Sequence, residues 1–525
     1  MASEEILRRT IHNADGKPFA KFRNLQGSFV TEGFELLIDE IQGDRTGHTA
    51  MRVRVPMSRA RFPEDTRSNG SRATALRDII ARRFWESART HARSPIPKTD
   101  GGEVYMPRPG QEVVSRGCVR VTEHYVEASF TADLPSRSNK VDEEAMIDLV
   151  FGRISLIVSE SMLFSSYNAR KLYNHLETVE NADAIRAGLR ERGLSAFIAL
   201  GSVLPRREDD LAPMIDAVPF DCDEGLRVSF EVPNGPPVVG LGIPFGFTAV
   251  TGPSGSGKSV LADAVFAGVY DHIPGDGREY VVSDPDAVYI MAEPGRPLGG
   301  GRLSGPGSEI AAVEEALEMG SRLLILDEEF SSPCVIRRAF PPQEGDMTPL
   351  CEMGEALRDE GVSMLIVTGD ESAVRAADTV LRMDGFVVRC TGIDRRPGGA
   401  AAPVIADRYP LSKGVSFEKG RKDVSASAPS VRTIEIGEYK VSVPVAGFFD
   451  QSQTREAADA IIVARDLMDG SVTLREVCAR ALDLVEAADA ENGTGMAHAR
   501  ARPIDVAAVL CRHPQMLFIR KNRSP

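Results

Sequence analysis

Residues 246–261 read GFTAVTGPSGSGKSVL, a short apolar run that breaks into a glycine-rich loop closing on Gly257, Lys258 and Ser259. A loop that turns its backbone N–H groups toward a polyphosphate needs residues that tolerate unusual φ and close approach. Gly252, Gly255 and Gly257 supply both. The expected cradle is Gly252, Pro253, Ser254, Gly255, Ser256, Gly257, Lys258, Ser259 and Val260. Lys258 would reach the β- and γ-phosphates, the Ser259 hydroxyl would hold Mg²⁺, and the N-terminus of the following helix would add its dipole. A chance glycine-rich turn would lack the apolar strand before the loop and the helix-compatible SVLADAVFAGVY after it.

Downstream, 323–328 (LLILDE) has the continuous apolar character of a strand buried on both faces, and it ends in two carboxylates. Ligands of open α/β sheets sit at that carboxyl edge. Asp327 would hold the metal's water shell and Glu328 would orient a water toward the γ-phosphate. With Lys258 and Mg²⁺ on Ser259, that is a sufficient set for phosphoryl transfer to water, which needs positioning and electrostatic stabilisation more than covalent help. Residues 299–319 (GGGRLSGPGSEIAAVEEALEM) read as a glycine cluster opening a helix, with Ser308 as its expected N-cap and Glu309 in its first turn. A second anion-binding helix end is expected there. Residues 364–368 (MLIVT) read as another buried strand, followed by Gly369, Asp370 and a helix.

Upstream, 52–55 (RVRV) is a short alternating strand. Residues 73–93 form an amphipathic helix with Leu76, Ile79, Ile80 and Phe84 on one stripe, and 117–134 suggests a β-ribbon. Asn139-Lys140-Val141-Asp142 spells the guanine-specifying NKxD, but it precedes the phosphate loop, no apolar strand leads into it, and the later acidic motif is not DxxG; it is read as a chance match. Residues 226–244 look like two strands joined by a Pro-Asn-Gly-Pro turn. The stretch 391–432, rich in Pro, Gly, Ala and Ser, reads as a linker or arm, and the end of the chain is a small helical module with Thr473 and Glu476 forming a capping box. The expected organisation is α/β: a basic α+β N-terminal domain (1–140), a helical connecting region (141–225), a P-loop NTPase core (226–392), a linker or arm (393–432) and a mainly helical C-terminal domain (433–525).

The 525 residues carry a net charge of −14, yet 45–98 holds thirteen Lys or Arg against four acids. Such a segment either presents a surface to an anionic partner or pairs with the protein's own carboxylates. The seven cysteines form no CxxC pair, which argues against a disulfide framework or a zinc site. No run of about 18 apolar residues occurs and MASEEILRR lacks the apolar centre of a secretory signal, so no membrane and a cytoplasmic address are expected.

The order GPSGSGKS, LSGPG, LLILDE resembles the ABC-class ATPases. With LQGSF, LLIDEIQGD, GQEVVSRG, HIPGDGRE, DQSQTREAADAI and MDGSVTLREV, the chain looks like the family of such ATPases that carry their own N- and C-terminal domains. The resemblance implies that Ser304, Gly305 and Gly307 contact the γ-phosphate held by a partner's phosphate loop, so that ATP closes a head-to-tail homodimer. Pro306 and Ser308 depart from the usual Gly and Gln. No switch histidine follows MLIVT, and Glu293 stands where a Gln loop would lie. The interval from Lys258 to Ser304 is too short for the helical subdomain that couples transporters to membrane partners. Some relatives are linked to RNA metabolism, so the expected activity is ATP hydrolysis acting as a switch on single-stranded RNA or other nucleic acid through 45–98. The alternatives are an ATPase regulating a protein partner and, more weakly, a small-molecule kinase.

Overall fold

The computed structural model describes residues 2–41, 48–92, 96–97, 99–208, 211–298, 301–337, 347–392, 394–413, 415–419, 423–444, 447–492 and 497–522. Arg45, Arg93 and Lys98 of the basic segment, Gly299 and Gly300, and Arg421 and Lys422 of the expected arm lie outside them. The chain divides into two units, one of residues 1–176 with 486–500 and one of 177–485 with 501–525.

In the first unit, Thr49–Pro56 pairs antiparallel with Glu35–Glu40 on one side and Tyr125–Ala132 on the other. Its alternation buries Thr49, Met51, Val53 and Val55 and turns Arg52 and Arg54 to the opposite face. There the guanidiniums meet carboxylates, Arg52 on Asp39 at 2.6 Å and Arg54 on Glu127 at 2.6 Å. Helix Gly70–Thr90 starts at Asn69, whose side chain accepts from Arg72 N, and buries Leu76, Ile80 and Phe84 as its spacing requires. It also buries Asp78. Burial disfavours that charge, but Arg82 and His175 outweigh it and hold the carboxyl below the usual range. The NKVD sequence is structural. Ser138 and Asn139 take positive φ in the turn between Ser136–Arg137 and Lys140–Val141, and Asp142 caps helix Glu143–Ile147.

The second unit is organised by a parallel sheet. Phe247–Thr251 lies between Ser363–Val367 and Thr379–Asp384, parallel to both; Leu323–Asp327 follows Ser363–Val367, and Val288–Ile290 follows in turn. The pleat divides their side chains between two cores. Val250, Ile325 and Leu365 pack under helix Lys258–Ala267, while Ala249, Leu324, Leu326 and Ile366 pack under helix Gly305–Glu318. Burial on both faces explains the continuous apolar runs and leaves only the strand ends for polar chemistry. Val387–Cys390 joins antiparallel to Thr379–Asp384, and an antiparallel sheet of Arg227–Phe230, Val238–Pro244, Leu194–Ala199 and Val281–Ser283 completes the core.

Strands occur where a linker or arm was expected. Ala406–Leu411 pairs with Leu517–Asn522, and Ala426–Ser430 opens a three-stranded sheet with Thr433–Ile436 and Tyr439–Ser442. Composition concealed the first of these because its inward residues are Arg408 and Pro410, the arginine neutralised by Glu318 and Glu315 of helix Gly305–Glu318. The C-terminal module is mainly helical, with Gln451–Leu467, the helix starting at Leu474, and Pro503–Cys511 closing over Ile434, Ile436 and Val441. Thr473 and Glu476 make the reciprocal capping bonds expected of them. Among the described residues no helix is long and apolar enough to cross a membrane.

Candidate nucleotide site

The phosphate loop leaves the central strand at Thr251 and re-enters regular structure at Lys258. Gly252, Gly255 and Gly257 have φ of 146°, 74° and 95°. Two of them are also closely approached by another segment of the protein. A Cβ on Gly252 would stand 2.1 Å from the Met383 carbonyl oxygen, and one on Gly257 would stand 2.7 Å from the Phe386 ring, whereas Gly255 has open space. The loop is thus pressed against the turn Gly385-Phe386 that joins Thr379–Asp384 to Val387–Cys390. Phe386 itself has φ of 68°, a conformation rare for a bulky residue and found where surrounding structure enforces it.

Gly257 caps helix Lys258–Ala267 without a side chain to accept from the first turn, which leaves the backbone donors of that turn to a ligand. Lys258 Nζ reaches back over the loop to the carbonyls of Gly252 (3.0 Å) and Pro253 (2.7 Å). A cavity of about 610 Å³ opens here. Ser254, Gly255, Ser259 and Val260 line it with Lys258, and the strand ends bring Asp327, Glu328, Thr368 and Gly369 to the same space. Ser256 is buried beneath the loop.

The two acids differ in environment. Asp327 is 2% exposed; its Oδ1 accepts from Glu329 N at 2.9 Å, while Oδ2 is buried without a protein partner. A buried carboxylate oxygen left unsatisfied is costly, and a hydrated cation would satisfy it. With the Ser259 hydroxyl on the same cavity, these residues fit Mg²⁺, a hard ion that keeps several waters and takes few protein oxygens. Glu328 is held by one oxygen, Oε2, which accepts from Thr368 Oγ1 (2.8 Å) and Gly369 N (2.8 Å). The position lacking a switch histidine therefore fixes the neighbouring carboxylate. Asp370 does not enter the site; it caps helix Glu371–Ala376.

Three further positions differ from expectation. The N-cap of helix Gly305–Glu318 is Ser304, whose Oγ accepts from Gly307 N at 3.2 Å, because Pro306 has no N–H to lose and suits the first turn. Ser308 lies inside the helix, donating to Gly305 O (2.6 Å) and accepting from Glu293 N (2.8 Å). Glu293 faces away from the cavity and grips Arg512 with both oxygens, at 2.9 and 2.5 Å. Ser304, Gly305 and Gly307 do not line the cavity of their own chain. Phe386, Thr368 and Gly369 escaped the sequence reading. The MLIVT strand, aligned beside LLILDE, was the one signal for Thr368 and Gly369.

The glycines sort by what surrounds them. Gly255→Ala should cost about 1 kcal/mol, the strain of a left-handed residue alone. Gly252→Ala, driven into a backbone carbonyl, should cost more than about 3 kcal/mol. Urea unfolding of the two variants checks the order; equal losses would contradict the close approach.

Family models match most of the chain. A model of the ABC ATPase P-loop domain matches residues 168–304 and 301–396, and a model described as the N-terminal domain of ABC-class ATPases matches 4–165. An uncharacterized protein of Methanocaldococcus jannaschii, MJ1628, is 32% identical over 121 residues, which are 21% of this chain and 27% of that protein, so the chain spans about a quarter of this relative's length. The crystal structure of a nucleotide-free ATP-binding cassette from an ABC transporter aligns over 28% of this chain and 82% of that one, at 15% identity and a TM-score of 0.19. The two family models run almost without a break from residue 4 to residue 396, and the chain belongs to the ABC-class ATPases.

Proposed function

We infer that the protein binds ATP with Mg²⁺ on the 252–260 loop and hydrolyses it, two copies closing head to tail around the nucleotide. The observation that carries this reading is the meeting of Lys258, Ser259, Asp327 and Glu328 on one cavity at the carboxyl edge of the central strands. Backbone N–H groups of the loop and helix bind the phosphates, and Lys258 exchanges its two carbonyl acceptors for phosphate oxygens. Ser259 and the unpartnered oxygen of Asp327 would hold Mg²⁺, which would supply charge neutralisation for the phosphoryl group being transferred. Glu328, pinned at Oε2, keeps Oε1 to orient the attacking water. Head-to-tail closure is supported by the placement of Ser304, Gly305 and Gly307 outside their own cavity, which leaves that helix end for a partner's γ-phosphate.

For the effector, the internal pairing of Arg52, Arg54 and Arg82 with Asp39, Glu127 and Asp78 favours a protein partner over RNA. These arginines are spent on the fold. Among the described residues of the segment, nucleic acid would have to use Arg59, Arg61, Arg83 and Arg89, which are exposed.

Lys258→Ala should weaken ATP binding at least tenfold by calorimetry. Glu328→Gln should lower phosphate release about a hundredfold while an ATP-bound dimer accumulates. Normal turnover by Glu328→Gln would remove the water-orienting role. Release of phosphate to water alone, with no acceptor consumed, separates this activity from that of a kinase. Binding to single-stranded RNA across 50–300 mM salt, with and without ATP, should be weak and insensitive to nucleotide; tight, ATP-dependent binding that falls steeply with salt would restore the RNA reading.

A further inference from the structure

Three short segments meet beneath the N-terminal turn of helix Gly305–Glu318. Ala292 N donates to Phe330 O at 2.9 Å, tying the segment after Val288–Ile290 to the turn that follows Glu328. The next residue, Glu293, donates its N–H to Ser308 Oγ at 2.8 Å. Glu309, wholly buried, accepts from Ser332 N through Oε2 at 2.9 Å. The approach is close enough that a Cβ on Gly305 would stand 3.0 Å from Ser332 Oγ. Few bonds separate this junction from the cavity, since the turn beyond Asp327 is closed by Phe330 N donating to Asp327 O.

Glu309 is an expensive residue for such a place. Its Oε1 and the Ser331 hydroxyl are both buried without a partner. Burial pushes its carboxyl up, with Ser332 and Ser331 opposing. The Ser331 hydroxyl is close enough to act on the Glu309 carboxyl, and one hydrogen bond between them would satisfy both atoms at once. A leucine would fill the volume without either bond, so packing alone does not account for the acid.

We propose that Glu309 is a positioning residue that locks the Ser304–Gly307 turn to the loop following Glu328, so that the state of a protomer's own nucleotide cavity sets the pose of the turn it presents to a second copy. This rests on the head-to-tail reading above. Glu309 touches no substrate; it acts through Ser332 on one side and through its helix on the other. Ser308, hydrogen-bonded to Glu293 N and Gly305 O, braces the same turn from the opposite side.

The test uses the full chain carrying Glu328→Gln as parent, with Glu309→Leu or Glu309→Gln added and ATP with Mg²⁺ as the probe. ATP affinity is read by calorimetry on dilute protein, dimer formation by sedimentation, and folding by thermal melting. Glu309→Leu should keep ATP affinity within threefold of the parent and weaken ATP-dependent dimerisation at least tenfold. Glu309→Gln, which retains an acceptor for Ser332 and a donor for Ser331, should restore dimerisation to within threefold. If the leucine variant does not fold, Ser308→Ala should show the same split. A parent that dimerises while Glu309→Leu or Ser308→Ala dimerises equally well overturns this proposal alone. Loss of ATP affinity in step with dimerisation also overturns it, because the role would then be structural. A parent that stays monomeric with ATP overturns the head-to-tail reading and this proposal with it.

Discussion

Asp327 Oδ2, a buried carboxylate oxygen without a protein partner, is the constraint around which the rest of the site is arranged. A strand buried on both faces cannot end in a charge unless something neutralises that charge, because the desolvation cost far exceeds any local packing gain. Leu323–Asp327 nonetheless ends there, beside the phosphate-loop strand's neighbour Ser363–Val367, with its other oxygen taken by Glu329 N. The parallel register then fixes the remainder. Thr368 and Gly369 emerge next to Glu328, and the loop at Gly252 emerges between them and the Gly385-Phe386 turn. The positions of the loop, of Asp327 and of Glu328 are consequences of where five-residue strands run out.

A second constraint acts on helix Gly305–Glu318, which is anchored at both ends. Its first turn is held by Ser304, Ser308 and Glu309. Its last turns carry Glu315 and Glu318, which meet Arg296, Arg408 and Arg512 in a nearly dry ionic cluster. Buried pairs of this kind add little net stability over an apolar core, but losing one partner costs on the order of 3–5 kcal/mol, so they fix a geometry strongly. The cluster joins this helix to the strand Ala406–Leu411 and to the end of helix Pro503–Cys511. Glu293 also bonds Ser308 in the first turn through its N–H and Arg512 through its carboxylate, so the first turn and the C-terminal module share one network.

How much of this could be read from the sequence depended on the range of the interactions. The phosphate loop, LLILDE and RVRV are local patterns whose physics lies within a few residues, and each appears where it was expected. The family follows from several such patterns together. Glu328 is held from forty residues away, and Phe386 meets Gly257 across a hairpin, so neither left a local trace. Ser304 displaced Ser308 as the cap because Pro306 starts the helix earlier than the glycine cluster suggested. Residues 406–411 looked like linker because their partner strand is at the far end of the chain and their buried residues are an arginine and a proline. The basic segment stayed open between two readings for the same reason, since Asp39 and Glu127, which pair with Arg52 and Arg54, lie outside it in sequence.

The central claim is that Asp327 and Ser259 share a cation on the nucleotide. Mn²⁺ in place of Mg²⁺ makes that claim directly measurable, by electron paramagnetic resonance of the full chain titrated with Mn²⁺ and a non-hydrolysable ATP analogue. The account predicts a tightly held, nucleotide-dependent Mn²⁺ signal that weakens at least tenfold in Asp327→Ala and in Ser259→Ala, with both variants melting as the native protein does. An unchanged Mn²⁺ affinity in folded Asp327→Ala would contradict it.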